Sequence, residues 1–207
     1  MENLDLLAAL DQIQQPRIFV VGDFMLDRYT WGNADRISQE APVILLQADA
    51  QEKKLGGAGN VCQALSHLGA KVIAAGILGS DDSGESIKSM LEKIGVDCEL
   101  LTFDHKRPTT TKDRFIGRAA NRHPHQILRV DRETCEPISP TQMAKMIRGI
   151  QNRLASCDAI LFSDYGKGTL PPALLRRVID LAQHHDIPVI IDPAAGRDYA
   201  LYRRATL

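Results

Sequence analysis

The chain has 207 residues, 44% hydrophobic and 25% charged, enough apolar material for one globular domain with a modest appendage. Its 25 lysines and arginines against 26 aspartates and glutamates leave a formal net charge of −1. That balance excludes a general polyanion binder such as a nucleic-acid-coating protein, but local basic residues can still grip a small phosphorylated ligand.

In chain order, residues 4–14 predict a short helix with Leu6, Leu7, Leu10 and Ile13 on one side, ended by Pro16. Arg17–Val21 predicts a buried strand terminating at Gly22-Asp23. Gly59–Leu68 has helical spacing at Val61, Ala64, Leu65 and Leu68, with Gly69 as a left-handed cap. Lys71–Ala75 predicts a strand. Asp82 or Ser83 should cap the next helix, which carries Ile87, Met90, Leu91 and Ile94 and is closed by Gly95. Residues 98–103 predict another strand. Ser139 is a good N-cap with Pro140 in the first turn, and Met143, Met146, Ile147, Ile150 and Leu154 form one face. Ala159–Phe162, a helix over Pro172–His184 and Val189–Ile191 complete the series. Strands alternating with helices imply a mostly parallel sheet with helices on both faces.

Residues 29–55 and 106–131 break that rhythm. They hold short extended runs, Pro42–Leu46 and Gln126–Val130, between polar turns. They predict a small β lid outside the main sheet, of the kind that excludes water from a site, or else two long surface loops.

Cys62, Cys98, Cys135 and Cys157 are far apart and form no Cys-x-x-Cys pair, so free thiols in a reducing cytosol are expected. His123 with His125, and His184 with His185, have no carboxylate or thiol at metal-ligand spacing, so no metal site is expected. The acidic start does not read as a secretory signal, and no apolar run approaches the roughly 18 residues of a membrane span. A cytoplasmic location is expected, with neither a membrane nor a nucleic acid as partner.

Ligands of an open α/β sheet bind beyond the carboxyl ends of its strands. Four polar clusters fall there: Gly22–Asp27, Gly56–Asn60, Ser163–Gly168 and Asp192-Pro193. The glycine cluster is no dinucleotide fingerprint, because Cys62 stands where the third glycine is needed, which disfavours a Rossmann-like oxidoreductase. Gly166-Lys167 is no P-loop, because Leu161 replaces its first glycine and Gly168 follows the lysine. What remains is a flexible turn into a helix, where glycines admit a ligand to the backbone and Asn60 both donates and accepts hydrogen bonds. That chemistry suits sugar hydroxyls, and a tight turn without ligand is the plainer alternative.

Leu55-Gly-Gly-Ala-Gly-Asn-Val-Cys-Gln-Ala-Leu-Ser-His-Leu-Gly-Ala-Lys71 resembles the first signature of the ribokinase/PfkB family of carbohydrate kinases. Val20–Tyr29, Ile37–Val43, Thr110–Arg114, Leu128–Asp131, Leu161–Gly168 and Ile191–Pro193 are similar to the heptose 7-phosphate kinase domain of the ADP-heptose synthase branch. The resemblance runs from about residue 17 to the last. It implies a ribokinase-like three-layer α/β/α fold with a mostly parallel sheet and a small β lid, the whole chain being one kinase domain whose carboxy-terminal part is missing. It implies phosphorylation of D-glycero-β-D-manno-heptose 7-phosphate to the 1,7-bisphosphate with ATP and Mg²⁺, on the way to ADP-heptose and the lipopolysaccharide core. By motif, Asp27 should accept hydrogen bonds from sugar hydroxyls, and Gly56, Gly57 and Asn60 should line the sugar. A phosphate on the substrate calls for cations, and Lys112, Arg114, Arg129 and Lys167 are the candidates. Lys112, Arg129 and Lys167 are favoured, each with a solvated surface charge as the alternative. Asp164 and Asp192 could hold a lysine or Mg²⁺-bound water near the phosphates, or simply cap turns.

The family's second signature, similar to Asp-x-x-Gly-Ala-Gly-Asp, supplies an anion hole and an aspartate base. The single Gly-Ala-Gly here is Gly57-Ala58-Gly59, followed by Asn60, and belongs to the first signature. Ala194 also stands where many relatives carry lysine after Asp-Pro. No residue of the chain is therefore expected to act as the catalytic base, and the chain by itself is expected to be inactive. The alternative is a non-catalytic sugar-phosphate-binding fragment or pseudoenzyme. An incomplete sheet is expected to leave an unpaired edge, so homodimerisation through the lid or complementation by a downstream polypeptide is the expected partnership.

Overall fold

The structure is a computed structural model and describes residues 15–118 and 123–207. The helix expected over residues 4–14 lies outside the described residues.

The main sheet has five parallel strands in the order β5-β4-β1-β8-β9. They are β1 (Arg17–Gly22), β4 (Lys71–Gly79), β5 (Asp97–Asp104), β8 (Ala159–Ser163) and β9 (Val189–Asp192). A strand buried on both faces reads as an unbroken apolar run, and β1 shows why. Phe19 and Val21 point into one core with Met146 and Ile150 of α3 (Pro140–Arg153) and with Leu174 and Val178 of α4 (Pro172–His184). Val20 points into a second core, with Cys62 of α1 (Ala58–His67) and Ile87 and Leu91 of α2 (Asp82–Lys93). Among the described residues two helices cover each face, which makes three layers. The outer edge of β9 is met by the backbone of residues 206 and 207, since Thr206 N donates to Val189 O (2.8 Å) and Ile191 N to Leu207 O (2.9 Å). The edge expected to be unpaired is thus partly covered.

The helix ends follow local chemistry. Ser139 caps α3 in a capping box with Gln142, with Pro140 in the first turn. Gly69 and Gly95 take φ of 91° and 78° after α1 and α2. Leu68, expected on the inner face of α1, is 83% exposed, because the buried stripe runs through Ala58, Gly59 and Cys62 and leaves Leu68 on its flank.

The cap of α2 is Asp81, one residue before the expected Asp82 or Ser83. Its carboxylate accepts from Gly84 N (2.9 Å) and also from Thr109 N (2.8 Å), which ties α2 to the root of the lid. Partial burial pushes its pKa up, and the hydrogen bonds from Thr109 and Gly84 outweigh that and hold it below the usual carboxylate range. A depressed folded-state pKa gives stability that is present above the unfolded value and lost as pH falls through the folded one. Asp81→Ala is expected to cost about 1 kcal/mol at neutral pH. The gap between wild type and variant, followed by urea unfolding, should close as the pH is lowered below about 4, and a gap that does not narrow would contradict this role.

The lid is a four-stranded sheet in the order β3-β2-β6-β7. Its strands are β2 (Phe24–Ile37), β3 (Ile44–Gly57), β6 (Thr110–Arg118) and β7 (His125–Arg132). β2–β3 and β6–β7 are antiparallel and β2–β6 is parallel. It is larger than the expected flap. It begins at Phe24 rather than 29 and runs to Gly57, the strand expected over Pro42–Leu46 is a 14-residue one from Ile44, and β6 was not anticipated. Long polar lid strands lack the apolar alternation that marks a half-buried strand, and pairing with neighbours fixes them instead.

Candidate active site

The lid register places its side chains in rows. Residues directly opposite share a face, with successive residues alternating. Lys54, Asp27, Lys112 and Asp131 form one row on the inner face, and Glu52, Tyr29, Arg114 and Arg129 form the next. Gly56 and Met25 stand in the row nearest the main sheet.

Between this face, the start of α1 and the loop after β8 lies a cavity of about 600 Å³. Asp27, Gly56, Gly57, Asn60 and Lys112 all line it. Asp27 is mostly buried, and its Oδ1 accepts from Arg114 Nη1 at 2.6 Å. Arg114 also lies over the Tyr29 ring, 5.2 Å from its centroid. Burial pulls the Arg114 pKa down, and the bond to Asp27 more than restores it, so the guanidinium stays charged. The other carboxylate oxygen faces Gly56: a Cβ there would stand 2.9 Å from Asp27 Oδ2. Gly57 has φ 53°, and a side chain there would strike the Asp23 carbonyl. Lys112 is half-buried and, among the described residues, makes no ion pair or hydrogen bond.

Two of the expected phosphate ligands do not line the cavity. Arg129 is on the inner face but on β7, with two strands between it and β3, half exposed, and its Nε pairs with Asp131 Oδ1 at 2.9 Å. Lys167 Nζ pairs with Glu133 Oε1 at 2.7 Å, which raises the lysine pKa above its ordinary value. Each cation is taken by the nearest carboxylate, which sequence spacing does not reveal.

A neighbouring cavity of about 440 Å³ lies at the ends of β8 and β9, and the two cavities share Tyr165. Asp164 and Asp192 both line it. Asp164 is buried and committed: Oδ1 accepts from Gly166 N (2.8 Å), and Oδ2 from Tyr202 Oη (2.8 Å) and from Arg197. Burial, then the Asp164 carboxylate, push the Tyr202 phenol up to about 12, so it remains a donor. Asp164 therefore caps its turn and holds Arg197 and Tyr202. Asp192 is exposed and makes no side-chain hydrogen bond or ion pair among the described residues.

Several residues escaped sequence reasoning. Buried Asp23 accepts three backbone N–H groups from the loop after β8, those of Tyr165 (2.9 Å), Lys167 (3.0 Å) and Thr169 (3.2 Å). Tyr29, Lys53 and Lys54 line the larger cavity and Arg197 the smaller. Period-two alternation from Asp27 points to Tyr29. The lysines of β3 become visible only with the strand register.

Residues 15–204 match the model of the pfkB family carbohydrate kinases. The chain is 44% identical over 191 residues to the bifunctional protein HldE of Caulobacter vibrioides, covering 92% of this chain and 38% of that protein. It is 41% identical over 207 residues to HldE of Syntrophotalea carbinolica, covering 41% of it. The chain thus spans about two fifths of the length of these relatives. A carbohydrate kinase from Agrobacterium tumefaciens superposes with a TM-score of 0.66 at 18% identity, over 85% of this chain and 53% of that one. An Arabidopsis thaliana ribokinase solved with ribose and ATP gives 0.58 at 16%, over 89% and 55%. The match along nearly the whole chain, on a ribokinase-like fold whose glycine turn, Asp27 and Asn60 converge on one cavity, places this chain in the pfkB family of carbohydrate kinases.

Proposed function

We propose that this chain is the sugar-binding part of an ATP-dependent kinase that converts D-glycero-β-D-manno-heptose 7-phosphate to the 1,7-bisphosphate, feeding ADP-heptose and the lipopolysaccharide core. The observation that carries the reading is Asp27. One oxygen is pinned by Arg114 while the other faces the cavity beside Gly56 and Asn60, an orientation in which a carboxylate accepts from sugar hydroxyls. The lid over the cavity excludes water from the acceptor hydroxyl. The smaller cavity at the ends of β8 and β9 is where the donor phosphates of ATP would approach, with Tyr165, which lines both cavities, between donor and sugar. Mg²⁺ bound with ATP neutralises phosphate charge. Among the described residues no three His, Cys, Asp or Glu side chains converge, so this chain fits a single contact from Asp192 through a metal-bound water, in keeping with the few protein ligands Mg²⁺ takes beside nucleotide phosphates.

These 207 residues contain one Gly-Ala-Gly, at 57–59, and no second one followed by aspartate. That favours, as a second reading, a polypeptide that binds sugar phosphate without turning it over by itself. Calorimetric titration with heptose 7-phosphate should show binding by the 207-residue chain. Coupled assay of ADP release should give a rate at least about 10⁴-fold below an ordinary sugar kinase, since both a general base and an anion hole are wanting. Turnover at a normal kinase rate would refute the second reading, and no binding of any sugar phosphate would refute both. A homodimer through the lid fits the exposed Ile37, Val43, Ile44 and Leu45 at its tip.

A further inference from the structure

We infer that Lys53, with Ser86 beneath it, forms the subsite for the phosphomonoester the sugar already carries, while Lys112 faces the incoming phosphoryl group. The inference rests on the sugar-phosphate reading above and assigns the two ends of the substrate within that site. Three lysines line the larger cavity: Lys53, Lys54 and Lys112. Lys54 is occupied, since its Nζ lies 3.3 Å from Glu52 Oε1 and over the Tyr29 ring. Lys53 and Lys112 are the two without a carboxylate partner among the described residues.

They stand at opposite ends. The lid order runs from β3 to β7. Its β3 edge leans on α2, and the roots of β6 and β7 lie at the loop after β8, where Arg107 donates to the Lys167 carbonyl and Lys167 to Glu133. Tyr165 lines both the sugar cavity and the β8–β9 cavity, Lys112 stands on β6 two residues from its root, and Lys53 stands on β3 at the opposite edge of the lid. A substrate phosphorylated on one carbon and reacting at another must turn its existing phosphate away from the donor, because two phosphate groups repel.

By pleat, Lys53 belongs to the outer-face row with Arg28 and Asp113. β3 is an edge strand, so the lysine stem reaches round to α2, where Nζ donates to Ser86 Oγ at 3.0 Å. Ser86 Oγ in turn donates to the Asp82 carbonyl (2.7 Å). The ammonium thus touches a neutral hydroxyl and keeps two N–H donors for an anion. A second recess of about 520 Å³ opens there and shares Lys53 and Met90 with the sugar cavity. Ser86, Ser89 and Lys93 line it with Lys53, against the single carboxylate of Glu85.

The test titrates the 207-residue chain calorimetrically with heptose 7-phosphate and with the same heptose lacking phosphate. The wild type should prefer the phosphorylated sugar. Lys53→Met should reduce that preference by about 10-fold or more and leave the affinity for the free heptose within about twofold. Lys53→Arg should restore it, and Lys112→Met should leave the preference intact. An unchanged preference in Lys53→Met, or its loss in Lys112→Met instead, overturns this assignment while the sugar-phosphate reading stands. Failure of the wild type to bind either sugar overturns both. Lys53 is an exposed edge-strand side chain, and the thermal midpoint of each variant confirms that the fold is kept.

Discussion

Replacing Asp23 by alanine is expected to lower the free energy of unfolding by about 3–5 kcal/mol, the cost of leaving three backbone N–H groups without their acceptor. Asp23 is 2% exposed and its carboxylate accepts from Tyr165, Lys167 and Thr169 N–H groups, binding the loop after β8 to the end of β1. Its own carbonyl accepts from Ala58 N, at the start of α1 (3.0 Å). Alanine would leave three donors without a partner, two of them around the turn that carries Tyr165 into the cavity. Asp23→Asn keeps one acceptor oxygen and should lose less, about 2 kcal/mol, because its amide group faces a donor it cannot satisfy. Urea unfolding measures both, and a loss below about 1 kcal/mol in the alanine variant would show that water or a shifted loop satisfies those groups.

Asp27→Ala should produce the second large effect, on binding rather than on folding. Two hydrogen bonds from sugar hydroxyls to a carboxylate, at about 1.5–3 kcal/mol each, predict at least a 100-fold weaker sugar-phosphate affinity. Arg114 would lose its partner, and because both side chains are only about one-fifth exposed (20% and 19%) this should also cost about 1–3 kcal/mol of stability. Gly56→Ala tests the same oxygen without touching the charge. The new methyl would press on Asp27 Oδ2 and on Met25 Cγ, 2.9 and 2.8 Å from its position, and should weaken the sugar about 10-fold or more. Titration calorimetry with heptose 7-phosphate reads both. Wild-type affinity in Asp27→Ala would remove Asp27 from the sugar site.

The core strands and the helices that cover them were legible because their causes are local. The run Ile18–Val21 is apolar on every residue, as a strand with helices on both faces requires, and Ser139-Pro140 specifies its helix start through bonds within a few residues. The sugar-binding candidates Asp27, Gly56, Gly57 and Asn60 were legible through motif resemblance, and the structure gathers all four on one cavity. The cations were not. Arg129 and Lys167 are as basic in sequence as Lys112, and what separates them is whether Asp131 or Glu133 stands within reach. Asp164 and Asp192 both end strands, yet one is consumed by Arg197 and Tyr202 and the other is open.

The sequence by itself determined the parallel α/β core and the glycine turn after the lid, since apolar periodicity, caps and glycine geometry act over a few residues. Only the tertiary structure decided the lid register, and with it which lysines line the cavity. A one-residue slip of β3 would exchange Lys53 and Lys54 between faces while leaving the composition of the strand unchanged.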